Sequence, residues 1–148
     1  MEITMSNVEQ AVSCFREGFA CSQAILSTYG EEFGLDRNTA LKIADGFAGG
    51  MAGMGRTCGA VVGSIMVIGL KHGRTKASDK QAKAKTVDLV REFVKRFESR
   101  NKSTVCKEML GCEIDTPVKV GMARIKGLFS TVCPKVVRDA AEILEEIL

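Results

Sequence analysis

The sequence predicts an all-α protein, a single compact bundle of about seven to eight helices around a glycine-rich, tightly packed central helix. Three observations carry this. Apolar residues recur at helical spacing in one segment after another, each opened by a capping residue. Only two prolines, seven phenylalanines and one tyrosine accompany abundant Ala, Leu, Ile, Val, Lys and Glu, a composition that disfavours a many-stranded sandwich. The chain has 148 residues, 45% apolar and 26% charged, with no repeat, linker or low-complexity tract, so residues 1–148 read as one domain. A chain of this length buries roughly 68–70% of its unfolded surface. Its six cysteines are therefore not needed to staple a small fold together.

Ser6-Asn7-Val8-Glu9 has the form of a capping box, and Val8, Ala11, Val12 and Phe15 then follow one face, giving a first helix to about Glu17 that Gly18 ends. Cys21-Ser22-Gln23-Ala24-Ile25-Leu26 opens a second helix that stops near Gly34. Asp36 caps a third, from about Arg37, with Leu41, Ile43, Ala44 and Phe47. A fourth runs from about Thr57 to Leu70. Ser78-Asp79-Lys80-Gln81 starts a long amphipathic helix whose buried stripe is Ala82, Leu89, Val90, Phe93 and Phe97. Ser103 caps a short helix closed by Gly111, and Thr116-Pro117 begins another that ends around Gly127. Cys133-Pro134 opens the last, because proline suits the first helical position, with Val137, Ala140, Ala141, Leu144 and Leu148 facing inward.

Nine of the 15 glycines fall between Gly46 and Gly73. Each costs a helix about 1 kcal/mol relative to alanine, so close packing or a required backbone shape must offset them. Gly55, Gly59 and Gly63 are four apart and present a flat face to a neighbouring helix. The segment from Gly49 to Gly55 reads as a bend whose exposed N–H groups surround whatever sits there.

Net charge is +3, unevenly spread. Between Lys71 and Lys102 stand 11 Lys/Arg against 4 Asp/Glu. Without interleaved aromatics or a nucleic-acid motif, this is read as the solvated face of a long helix, and no nucleic-acid partner is expected. The start of the chain, from Met1 to Gln10, shows neither a basic nor an apolar leader segment, so a cytoplasmic location is expected. The 14 uncharged residues Thr57 to Leu70 fall short of the ~20 that a bilayer requires, so no membrane insertion is expected.

In a reducing compartment, six cysteines point to metal or redox chemistry rather than a disulfide framework. Cys21, Cys58, Cys106 and Cys133 all map to predicted helix beginnings. Unpaired N–H donors and the partial positive charge there favour thiolate over thiol, as nucleophilic and metal-ligating cysteines require. Cys14 lies beside the apolar face of the first helix and reads as structural. Cys112, just past Gly111, reads as a spare ligand or a resolving thiol. No Cys-x-x-Cys occurs, which removes the thioredoxin motif and the usual zinc knuckles. His72, the single histidine, lies about 14 residues from Cys58 at the far end of its helix, roughly 21 Å away, so it is read as solvent-facing rather than as a nucleophile's base. The glycine spacings resemble phosphate loops, but no strand precedes them and no Gly-Lys-Ser/Thr follows.

Cys58-Gly59-Ala60-Val61-Val62-Gly63 resembles the signature of a family of redox-active proteins named for a Cys, CGAxxG, Cys, Cys pattern. The resemblance extends through Phe19 to Ala24, Gly46 to Met51, Val105 to Gly111 and Cys133 to Ala140, and so spans essentially the whole chain. It implies that Cys21, Cys58, Cys106 and Cys133 are the signature cysteines, leaving Cys14 and Cys112 outside. It further implies a small helical protein with a functional link to a transporter. A similar domain in split-Soret cytochromes is linked to an iron centre.

Three functions compete. The first places four thiolates, from Cys21, Cys58, Cys106 and Cys133, on a metal or an iron–sulfur cluster such as [2Fe–2S], with backbone N–H groups of Gly55 and Gly59 facing that cofactor, for electron transfer or sensing. Zinc held by the same four is a variant, although structural zinc sites space their ligands more closely in sequence. The second is metal-free thiol–disulfide chemistry in which Cys58 or Cys133 attacks and a neighbour resolves. The third is a non-catalytic bundle that binds a partner through Lys71 to Lys102. A redox protein with a cysteine-lined pocket, served by a redox partner protein, is the reading preferred, the cluster form placed first.

Overall fold

The computed structural model describes residues 4–148. The first three residues of the Met1 to Gln10 segment lie outside the described residues. The fold is all-α: α1 (Asn7–Arg16), α2 (Cys21–Gly30), α3 (Arg37–Ala44), α4 (Gly59–His72), α5 (Lys80–Asn101), α6 (Cys106–Leu110), α7 (Pro117–Ile125) and α8 (Leu128–Ile147). Among the described residues no helix is long and apolar enough to cross a membrane.

Most starts lie where capping chemistry puts them. Ser6 Oγ accepts the Glu9 N–H at 3.2 Å, Asp36 Oδ2 that of Thr39 at 3.0 Å, Asp79 Oδ1 that of Ala82 at 3.0 Å and Thr116 Oγ1 that of Lys119 at 3.2 Å. Only half of the expected capping box at Ser6 forms, because the Glu9 carboxylate pairs with Arg138 of α8. The third helix ends at Ala44, and a 3₁₀ turn carries the chain through Phe47. The cap expected at Ser103 sits two residues early. Val105 occupies the N-cap of α6, and Ser103 Oγ accepts the Val105 N–H at 2.9 Å.

The last helix departs furthest from expectation. It begins at Leu128, after Gly127 at φ +71°, so Cys133 and Pro134 lie inside it. A proline there leaves the Ser130 carbonyl without its helical donor, typically at ~3 kcal/mol or more. Two features let the helix continue. Pro134 is buried, and the hydroxyls of Ser130 and Thr131 both bond back to the Gly127 carbonyl, at 3.0 and 2.8 Å, securing the first turn.

At the centre lies α2, with α1, α3, α4 and α8 packed around it; α5 closes the far side against α4 and α8. The flat glycine face does bring α2 and α4 together. A Cβ on Gly59 would lie 3.0 Å from the Ser22 nitrogen, and one on Gly63 would lie 2.9 Å from the Ser22 oxygen. Gly55 does not share that face, for it lies before the helix at φ +68°. Phe93 and Phe97 of α5 are fully buried and stack with ring centroids 5.9 Å apart. A smaller cluster of Leu110, Ile114 and Ala123 ties α6 and α7 over one end of α8.

Candidate functional site

One cavity of about 130 Å³ opens where α2, α4, α6 and α8 meet, and Cys21, Cys58, Cys106 and Cys133 all line it. Its remaining walls are almost wholly apolar: Phe15, Met109, Leu110, Phe129, Val132 and Val136, with the backbone of Ala48, Gly49 and Gly50. Those aromatic and aliphatic walls carry no sequence signal of their own. Phe129 in particular lies in a first turn of α8 that the reading at Cys133-Pro134 leaves out.

Each sulfur is placed by a different device. Cys21 is the first residue of α2, and Gln23 fixes that turn by accepting the Ala20 N–H at 2.9 Å and donating to the Leu41 carbonyl at 3.0 Å. Ser22 anchors it from inside, donating to the Ala44 carbonyl at 2.8 Å. Cys58 is the N-cap of α4 and Cys106 the first residue of α6. A short antiparallel pairing holds these two side by side. The Cys58 N–H donates to the Thr104 carbonyl at 2.8 Å, and the Cys106 N–H to the Arg56 carbonyl at 2.6 Å. Gly50 makes room for the pair: at φ +70°, its Cβ would stand 2.6 Å from the Arg56 nitrogen and 2.7 Å from the Cys106 Cβ.

The bend before α4 turns most of its N–H groups back on itself and leaves those of Gly49 and Gly50, which have no backbone partner, beside the cavity. From Met51 to Arg56 every backbone N–H bonds to a carbonyl between Gly46 and Met51. Five successive residues, Gly49 to Gly53, take positive φ, Met51 and Ala52 among them, so the bend is a left-handed turn closed upon itself. Gly49, Gly50 and Gly59 line the cavity, whereas Gly55 faces Lys107 of α6.

Protonation within the cluster follows the neighbouring sulfurs more than helix position. The neighbouring thiols of Cys133 and Cys58, reinforced by burial, hold the Cys21 thiol well above the ordinary range. Cys21 in turn pulls Cys58 down, and burial opposes it. The N–H groups of Ala60 and Val61 at the start of α4 add to that lowering. Cys133 is lowered by Cys21 as well, against burial and the nearby Cys58. Cys106 is pushed up to about 12, chiefly by burial, although it begins a helix. The expectation that four helix beginnings depress four thiols therefore applies to Cys58 alone. Negative charge is therefore best tolerated at Cys58.

All six cysteines are free thiols. Cys14 is buried in the main core beside Ser27, 3.7 Å away. His72 ends α4 outside the cavity, half-buried, and burial together with Lys85 and Lys71 lowers its pKa. Within the basic stretch, Arg96 and Arg100 are engaged with Glu92, Asp139, Glu142 and Glu146. Among the described residues, no set of three or more Cys, His, Asp or Glu side chains is arranged to hold a metal ion. Cys21, Cys58 and Cys133 instead shift one another's protonation. As they stand, the donors do not form a ready cluster or zinc site.

Residues 19–147 match the family described as Putative redox-active protein (C_GCAxxG_C_C). The chain belongs to this family. The C_GCAxxG_C_C match takes in all four cavity cysteines and Cys112 but begins after Cys14. Neither a curated protein nor a solved structure is significantly similar to the chain.

Proposed function

We propose that this member of the C_GCAxxG_C_C family is a thiol–disulfide redox protein, with Cys58 as the attacking sulfur and Cys21 as its resolving partner. The observation that carries this reading is the convergence of Cys21, Cys58 and Cys133 on one cavity, where Cys21 holds its proton well above the ordinary range and its thiol lowers the other two. A thiolate is the nucleophile in exchange, and a protonated thiol beside it is poised to resolve. The Cys58 thiolate attacks one sulfur of a disulfide presented in the cavity, forming a mixed disulfide and displacing a thiolate. Cys21 passes its proton to that leaving sulfur and attacks the Cys58 sulfur, displacing the second thiolate. The substrate gains two electrons, one of its sulfurs taking the Cys21 proton and the other a proton from solvent, and the protein holds a Cys21–Cys58 disulfide. Cys133, which Cys21 also lowers, can take over from Cys58. A redox partner protein restores the thiols in the reverse sequence.

The apolar walls favour this assignment, because a low-dielectric cavity makes the hydrogen bonds to a thiolate count for more. The test is anaerobic purification followed by visible absorption, iron and sulfide assay, and thiol counting with and without reductant. The expected result is an absence of stoichiometric iron, with two thiols that appear only after reduction and map to Cys21 with Cys58 or Cys133. Charge-transfer bands with stoichiometric iron and sulfide would establish the cluster instead. Six unreactive thiols would leave only a partner-binding scaffold.

A further inference from the structure

Cys58 is only 4% exposed, so its sulfur meets only a disulfide that fits inside the cavity, and a bulkier one needs another point of entry. The end of α6 supplies a route. Gly111 takes φ +74°, and the N–H groups of Gly111 and Cys112 both donate to the Lys107 carbonyl, at 2.9 and 3.2 Å. This is a Schellman-type helix stop, in which the residue after the glycine folds back against the turn containing Cys106. Cys106 and Cys112 accordingly pack on the same cluster of Leu110, Ile114 and Ala123. Their sulfurs serve different spaces. Cys106 lines the buried cavity, whereas Cys112 lines an outer groove with Glu113, Lys119, Met122 and Lys126.

We infer that Cys106 and Cys112 form a second dithiol, which carries disulfide exchange between that outer groove and the buried Cys58–Cys21 pair. The inference rests on the thiol–disulfide reading above and names its point of entry. Cys112, as thiolate, attacks an external disulfide and displaces one thiolate. Cys106 transfers its proton to that leaving sulfur and attacks the Cys112 sulfur, displacing the second thiolate and forming a Cys106–Cys112 disulfide. The Cys58 thiolate then attacks the Cys106 sulfur, and Cys112 leaves as a thiolate toward the groove. Cys21 gives up its proton to Cys106 as it closes on Cys58. Two electrons pass from Cys21 and Cys58 to the external disulfide, while Cys106 and Cys112 return to their reduced forms. Burial holds Cys106 protonated, with Cys58, Cys133 and Cys112 close enough to contribute.

The test mixes fully reduced protein with glutathione disulfide under anaerobic conditions, traps thiols by alkylation at timed intervals and maps the linkages by peptide mass. In the wild type the Cys106–Cys112 linkage is expected to precede Cys21–Cys58. In Cys112→Ser the Cys21–Cys58 linkage should form about tenfold more slowly or worse, because exchange rates follow access to the attacked sulfur. Equal rates in the two proteins, or a wild type in which Cys21–Cys58 forms first, would overturn the relay and leave the inner pair standing. A wild type that never forms a bond among Cys21, Cys58 and Cys133 overturns both readings. The order of linkages in the wild type decides the matter even if the variant folds poorly.

Discussion

Cys21 occupies the position on which the chemistry of its neighbours depends. It keeps its proton, and beside it Cys58 and Cys133 are both lowered. Removing that thiol leaves Cys58 with the Ala60 and Val61 N–H groups alone, against the cost of its burial. Cys21→Ala is therefore expected to move the pH profile of Cys58 alkylation to higher pH and to slow its labelling at neutral pH. Mass-resolved labelling with iodoacetamide across pH 5–10 checks this, and an unchanged profile would show that the helix terminus governs Cys58 without Cys21. Cys21, Cys58 and Cys106 stand at helix beginnings that were legible in the sequence, whereas Cys133, read there as a cap, lies inside α8. The order of protonation among the four was not legible, because it arises from contacts between residues as far apart as 21 and 133.

At the scale of elements, the packing of α2 on α4 turns on Gly59 and Gly63, whose spacing exposes the contact face in the sequence alone. A Cβ at Gly63 would meet the Ser22 backbone oxygen at 2.9 Å, and backbone cannot swing aside as a flexible side chain can. Because Ser22 follows Cys21, separating the helices there also displaces the site. Gly63→Ala is predicted to destabilise the protein by about 1–3 kcal/mol. Gly69→Ala serves as its contrast: it lies in the same helix with no atom within 4 Å of an added Cβ. There the helix gains up to about 1 kcal/mol from better propensity. Urea denaturation of both variants under reductant measures the two signs, and equal effects would remove the close-approach account. The same logic explains where local signals misled. Cys133-Pro134 has the form of a helix start, yet Gly127 at φ +71° and tertiary burial of Pro134 place the start at Leu128. Burial is a property of the assembled core, which local proline chemistry does not report.

Across the whole molecule, the cluster makes stability depend on alkaline pH in a definite direction. Burial pushes Cys106 up to about 12 and raises Tyr29, whose hydroxyl also bonds Glu145 at 3.0 Å. Cys21 is raised by the neighbouring thiols of Cys133 and Cys58. In the unfolded chain such groups titrate at their ordinary values, about 8.5 for a thiol and 10 for a phenol. Between those values and the folded ones, the native protein retains protons that the unfolded chain has released. Their stabilisation is complete below about pH 8.5 and is lost as pH climbs toward 12. The lowered thiols, Cys58 and Cys133, act the other way: their contribution is already full above the ordinary thiol value and fades only as pH falls. Above pH 9 nothing within the cluster offsets the loss, so Tm should fall steadily from pH 9 to 11. In Cys106→Ser, whose hydroxyl does not titrate in that range, the decline should be shallower. Thermal melts by circular dichroism in reductant, at matched ionic strength, supply the measurement. A wild-type Tm that stayed level across this interval would mean that Cys106 is not held as a buried thiol, and its place in the cavity wall would have to be redrawn.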